Sequence, residues 1–230
     1  MKKLTKKMQF MQNLVNHKKI YNIEEGIILL KKIAISKFNE SIDASINLGI
    51  NPKKTDQNIR SSIILPHGIG KSITIAVFTQ GDNINIAKNC GAEHVGLYDL
   101  IEQIQNKNIN FDIAIASSDV MNDVNKLGPI LGPRGLMPNP KLGTVTSDVE
   151  NTIKNIKRGQ INYKNDKNGI IHTSIGKINF INSKIKDNLN ALLESLKKLK
   201  PINFKGLYIK KITLSTTMSL GIKINCTNLN

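Results

Sequence analysis

From Ser41 to Ile50 the chain alternates strictly, with Ile42, Ala44, Ile46, Leu48 and Ile50 on one side and Ser41, Asp43, Ser45, Asn47 and Gly49 on the other. A period of two predicts a strand with one buried face. Before it, residues 2 to 19 set lysines among Leu4, Met8, Met11, Leu14 and Val15 at helical spacing, which predicts a basic helix or arm. Asn22-Ile23-Glu24-Glu25 reads as a capping box for an apolar-rich helix over Gly26 to Ile35. Asn51-Pro52 ends the alternating strand, and a second strand is expected at about Asn58 to Leu65, before Pro66.

The rhythm then changes. Ser72 to Phe78, Ala92 to Leu97 and Asp112 to Ser117 are short apolar runs, separated by helical stretches at Ile84 to Asn89 and Tyr98 to Gln105. Strands alternating with helices predict parallel strands with crossover helices, a small Rossmann-like α/β unit. Asp119 to Leu127 is expected to be a short helix, and Ser147 to cap another that runs through Val149, Ile153 and Ile156 to Gly159. Between them lies GPILGPRGLMPNPKLG, Gly128 to Gly143, which holds four of the seven prolines. Such a segment cannot be a long helix or a central strand, and it is expected to be a shaped surface loop or a structural connection.

The last part returns to strands. Ile161 to Lys164 and Ile170 to Ile175 flank Asn165-Asp166-Lys167-Asn168-Gly169, whose Asn-Gly ending suits a hairpin turn. Ser183 to Lys200 is amphipathic, with Ile185, Leu189, Leu192, Leu193 and Leu196 inward, and strands are expected near Gly206 to Leu214 and Ile222 to Cys226. Neither flank holds a complete core of its own. The expected fold is therefore a discontinuous two-domain α/β and α+β protein. Residues 1–67 and 160–230 form one α+β domain, and residues 68–159 are inserted as an α/β domain.

Charge sharpens that division. The net charge is +16, and lysine supplies most of it, a bias that an AT-rich genome could produce by itself. Yet residues 1–67 carry 12 Lys/Arg and 5 Asp/Glu, residues 160–230 carry 12 and 3, and residues 68–159 carry 9 and 9. The excess sits in the two flanks, so one folded domain carries a field suited to a polyanion, most simply nucleic acid. Aromatic content of 4% is too low for a stacking platform, and most of Phe38, Tyr163, Phe180, Phe204 and Tyr208 are expected in the core. Contact by shape, phosphate and ribose hydroxyl fits better and points to folded RNA. No apolar run reaches membrane length or signal-peptide length, so a cytosolic protein without a membrane partner is expected.

Enzyme signatures are weak. His67-Gly68-Ile69-Gly70-Lys71-Ser72 ends like a phosphate-binding P-loop, but its first glycine falls at Leu65 and a strand is expected after it. A P-loop-like nucleotide-binding enzyme is the alternative reading. His17, His67, His94 and His172 lack metal-site spacing, and Cys90 and Cys226 form no pair in sequence, so no metal, cofactor or catalytic residue is expected.

One string is far more specific. Leu131-Gly132-Pro133-Arg134-Gly135-Leu136-Met137-Pro138-Asn139-Pro140-Lys141 with Gly143-Thr144-Val145 resembles the signature of the ribosomal protein L-one family, of bacterial type. The likeness extends to Lys37-Phe38-Asn39-Glu40-Ser41, Lys54-Thr55-Asp56-Gln57-Asn58-Ile59-Arg60, Leu65-Pro66-His67-Gly68, Asn165 to Gly169, Lys205-Gly206 and Thr216-Thr217-Met218. The resemblance implies an antiparallel-sheet domain made from both chain ends, with the inserted domain joined by a two-strand hinge. It implies binding of large-subunit ribosomal RNA at the mobile side stalk, help in releasing deacylated tRNA from the exit site, and repression of the chain's own mRNA. By matched position it assigns RNA contact to Phe38, Ser41, Lys167, His172, Thr216, Thr217 and Met218. Arg134 and Lys141, in the neutral domain, are candidates for contact with tRNA or across the interdomain cleft. The family usually has glycine after Thr-Thr-Met where this chain has Ser219. The serine is expected either to loosen RNA approach or to supply a hydroxyl of its own. A monomer is expected off the ribosome.

Overall fold

The computed structural model describes residues 5–16, 19–52, 54, 57–106, 109–201, 204 and 206–225. In chain order the elements are α1 (Lys6–Leu14), α2 (Ile23–Ile33), β1 (Ser41–Leu48), β2 (Arg60–Ile64), β3 (Ile75–Phe78), α3 (Asn83–Asn89), β4 (His94–Gly96), α4 (Tyr98–Gln105) and β5 (Ile113–Ser117). There follow α5 (Met121–Val124), α6 (Gly128–Arg134), β6 (Val145–Thr146), α7 (Val149–Lys157), β7 (Gln160–Lys164), β8 (Ile170–Lys177), α8 (Asn182–Lys198), β9 (Ile209–Thr216) and β10 (Ile222–Ile224). The chain divides into two compact units, Met1–Gly70 with Tyr163–Asn230, and Lys71–Asn162. Each boundary lies three residues beyond the one read from sequence, and the second falls inside β7, which pairs with β2 as a separate two-stranded sheet.

The first unit is built on an antiparallel sheet of order β10-β9-β1-β8. The alternation along β1 makes it a central strand: Ile42, Ala44 and Ile46 are wholly buried, while Ser41, Asp43, Ser45 and Asn47 are half-buried on the other face. α8 lays Ile185, Leu189, Leu192, Leu193 and Leu196 against this core, and α2 adds Ile27, Leu30 and Ile33. Each such side chain contributes about 1.5–3 kcal/mol over its exposed state. Gly49, just past β1, is obligatory: a Cβ there would stand 2.3 Å from the Leu207 carbonyl oxygen.

Three local expectations for this unit need correction. Asn22 has extended N-cap backbone angles, but its side chain caps nothing. The two glutamates are drawn to lysines instead, Glu24 to Lys186 at 2.6 Å and Glu25 to Lys19 at 3.7 Å, so the capping box does not form. Asn165 to Gly169 is a turn but not the loop of a regular hairpin, because β7 pairs with β2 and β8 with β1, leaving one bridge, Asn165 to Ile171, between them. Of the five rings assigned mainly to the core, Tyr163 and Tyr208 are buried, Phe180 and Phe204 are half-buried, and Phe38 is exposed. Leu4, His17, Thr55, Asp56, Lys205 and Cys226 lie outside the described residues.

The second unit holds a parallel sheet of order β4-β3-β5-β6. All four residues of β3 are buried because both sheet faces are covered. Ala76, Phe78, Leu100, Ile104, Val124 and Leu131 form one layer, and Ile75, Val77, Ile115, Val149, Ile153 and Ile156 the other. The fourth strand, β6, is two residues long, too short to show a period. Asp148 caps α7 in place of Ser147, its carboxylate accepting from the Asn151 amide at 3.1 Å. The helix expected over Asp119 to Leu127 is broken into a 3-10 turn, α5 and a second 3-10 turn.

The Gly/Pro stretch, expected as a loop, opens as the helix α6. Pro129 lies in the first turn, where its missing N–H leaves no bond unmade, and Pro133 forfeits a single bond to the Pro129 carbonyl. Gly135, at φ +72°, ends the helix in a left-handed conformation. Beyond it Asn139 organises the chain. Its amide donates to Thr144 Oγ1 at 2.7 Å, and its side chain accepts from the Lys141 amide at 2.8 Å, closing the 3-10 turn Pro140–Leu142.

Candidate nucleic-acid interface

Because β1 is central, its polar positions meet neighbours on both sides. Ser45 lies opposite His172 and Thr213, Asp43 opposite Ser174 and Ser215, and Asn47 opposite Ile170 and Lys211, while Thr213 in turn faces Lys223. Directly opposed residues point to the same side of a sheet. The sheet therefore presents short hydroxyls, a histidine and lysines on the face away from its buried apolar positions. Ser45 Oγ is 3.0 Å from His172 Nδ1, and His172 Nε2 is 3.7 Å from Asp166 Oδ2, which steers the exposed imidazole. Lys177 Nζ donates to Ser41 Oγ at 2.7 Å. Lys167 is exposed on the neighbouring turn.

At one end of the sheet, on the inward side behind this face, lies a buried carboxylate. Glu40 is 1% exposed, and its Oε2 accepts from the Thr216 hydroxyl at 2.5 Å and from the Met218 amide at 3.1 Å. Burial pushes its pKa up, but bonds from Ser36, Thr216 and the Met218 amide outweigh that and hold it below the usual carboxylate range. Ser41 and Thr217 lock reciprocally: the Ser41 amide donates to Thr217 Oγ1 and the Thr217 amide to the Ser41 carbonyl, both at 3.2 Å. Phe38 and Met218, 54% and 55% exposed, flank this locked pair in sequence and leave apolar surface uncovered.

Seven residues were expected to touch RNA. Phe38, Lys167, His172, Thr217 and Met218 are exposed, and Ser41 is half-buried. Thr216 is buried with its hydroxyl on Glu40, so it positions the turn from within. Ser219 accepts from the Thr216 amide at 3.0 Å and donates to the Leu220 carbonyl at 3.3 Å. Its hydroxyl therefore closes the turn. Arg134, ending α6, and Lys141, in the Asn139 turn, are both exposed on the other unit.

Two residues escaped the sequence reading. Each carried a periodic signal: Glu40 falls two residues before Ile42, in step with the inward positions of β1, and Asn188 falls three residues after Ile185 on the inward stripe of α8. Asn188 closes a local network. It is fully buried; its Nδ2 donates to the carbonyls of Gly68 at 2.9 Å and Ile175 at 2.8 Å, and its Oδ1 accepts from the His67 amide at 3.1 Å. This fixes the chain as it leaves β2.

The nucleotide-binding alternative loses its lysine. Lys71 is bonded to Asp112 at 2.6 Å, a contact that holds Asp112 below its ordinary pKa, and no helix follows Ser72. Among the described residues no cluster of three His, Cys, Asp or Glu could hold a metal ion, and no helix is long and apolar enough to cross a membrane. The split unit carries 24 Lys/Arg against 8 Asp/Glu, and the inserted unit 9 against 9.

Known proteins resemble the chain over its whole length. The chain is 66% identical over 230 residues, 100% of its length and 99% of the relative's, to the large ribosomal subunit protein uL1 of Buchnera aphidicola subsp. Baizongia pistaciae (strain Bp). It is 57% identical, over the whole of both chains, to the protein of the same name from Buchnera aphidicola subsp. Acyrthosiphon pisum (strain Tuc7). The family model described as the ribosomal protein L1p/L10e family matches residues 30–220, and the chain belongs to that family.

Proposed function

We propose that the chain is a structural constituent of the large ribosomal subunit, working in the cytoplasm, which holds large-subunit ribosomal RNA with its split basic unit. It is not an enzyme. The observation that carries this reading is the concentration of the entire charge excess on the unit whose sheet has an open polar face. Lysines on that unit neutralise phosphates, the serine and threonine hydroxyls suit ribose 2′-hydroxyls, and Phe38 and Met218 pack on bases or sugars. Ser41, Lys167, His172 and Thr217 are the proposed polar contacts, with Thr216 and Glu40 behind them.

The RNA segment at the mobile side stalk is the proposed target, and the chain's own mRNA a second one. Exit-site tRNA is the proposed partner of Arg134 and Lys141. Titration of the full chain with a side-stalk RNA fragment, against an unrelated structured RNA as competitor, tests the reading. Specific binding survives the competitor and weakens with salt at a log-log slope of about 0.7–0.9 per phosphate contact. Equal loss to either RNA would instead mark a nonspecific basic RNA chaperone.

A further inference from the structure

The Asn-Gly pair, which does not serve a regular hairpin, has chemistry of its own. Of all the asparagines in the chain, only Asn168 precedes a glycine. Its side chain is exposed, while Gly169, at φ +76°, is itself buried beside Ile50, so the nitrogen that would attack meets solvent only when the turn opens. That amide reaches the Asp166 carbonyl at 3.2 Å, the long end of the hydrogen-bond range, so the contact holding it is weak. We propose that Asn168 is a site of spontaneous deamidation, by which the free protein loses affinity for RNA as it ages. The second half rests on the RNA-binding role given above.

The step balances without any added reagent but water. The Gly169 nitrogen, having lost its proton to solvent, attacks Cγ of Asn168. The new C–N bond closes a succinimide while the bond to Nδ2 breaks, and the nitrogen leaves as ammonia with a proton returned by solvent. Water then adds to either ring carbonyl and leaves aspartate or isoaspartate at position 168.

Either product disturbs the turn. Asp166 Oδ1 accepts from the amides of Asn168 and Ile170, both at 2.8 Å, and the Ile170 bond in particular keeps the Asp166 carboxyl low in pKa and charged. A second carboxylate beside it repels the first and opposes the field of Lys167. The isoaspartate form also adds a backbone carbon between the two amides that Asp166 caps. RNA seated on Lys167 and His172 would hold the turn and slow the reaction, so the bound protein is protected.

The test incubates the full chain in warm, mildly alkaline buffer, free and bound to side-stalk RNA, and follows each asparagine by peptide mass mapping. Position 168 converts before every other asparagine, and more slowly in the complex. Asn168→Asp binds RNA about fivefold more weakly at low salt, with the gap closing as salt rises, whereas Asn168→Ser stays intact and binds as the parent does. Retention of the Asn168 amide while other asparagines convert would overturn the modification site. Conversion with unchanged affinity, in a protein that still binds RNA specifically, would overturn its link to RNA. Absence of specific binding by fresh protein would instead count against the RNA-binding role itself and leave the covalent step standing.

Discussion

Replacing Glu40 by alanine leaves the Thr216 hydroxyl and the Met218 amide facing an empty site in a place that is 1% exposed. Hydrogen bonds to a charged group contribute about 1.5–3 kcal/mol each, so the loss of two is about 3–6 kcal/mol. Glu40→Gln keeps one acceptor oxygen and removes the charge, for a cost of about 1–2 kcal/mol. The two variants also differ in what pH does to them. The folded-state pKa of Glu40 lies below its ordinary value of 4.5, so its contribution is present above the unfolded pKa and is lost as pH falls through the folded one. The stability gap between the parent and Glu40→Gln should therefore be widest near neutrality and shrink below about pH 4.5. Urea unfolding of both chains across that range, read on the split unit by amide exchange, measures it. A gap that is constant with pH, or an alanine variant within about 0.5 kcal/mol of the parent, would refute the claim that Glu40 anchors this end of the interface.

Other expectations are as direct. Asn188→Ala removes the partner of three main-chain groups, so the His67 amide should exchange faster and the split unit lose about 3 kcal/mol, measured by hydrogen exchange and urea unfolding. Gly49→Ala drives a Cβ against the Leu207 carbonyl and should cost about 2 kcal/mol or more by thermal unfolding, while Gly26→Ala meets only the tip of Ile224 and should cost less. Phe38→Ala and Met218→Ala should each weaken RNA binding by about 1–3 kcal/mol with an unchanged melting temperature and an unchanged salt slope, since neither side chain carries charge.

Long-period features were legible in the sequence, and those set by a single side-chain contact were not. The alternation of Ser41 to Ile50 announced a half-buried strand because every side chain obeys it, and the inward stripe of α8 was readable for the same reason. The start of α2 misled because Glu24 and Glu25 have a choice of partners, and two lysines, Lys19 nearby and Lys186 remote in sequence, win over the local amides. The Gly/Pro stretch was read as a loop because its prolines forbid a long helix, yet a seven-residue helix loses only one bond to them. At the interface the polar alternation placed Ser41 and Ser45 outward. Thr216 turns inward with the same period, after Ile212 and Leu214, but its bond to Glu40, 176 residues away, is encoded in no local pattern.

The central claim is that the split basic unit grips one folded segment of large-subunit RNA through the open face of its sheet and the Phe38–Met218 end. Chemical footprinting of the full chain on large-subunit ribosomal RNA, repeated with a Phe38→Ala and Met218→Ala double variant, tests it most directly. The account predicts protection of one compact RNA segment, lost in the double variant while the variant stays folded. Diffuse protection across the RNA, or protection that the double variant retains in full, would contradict it.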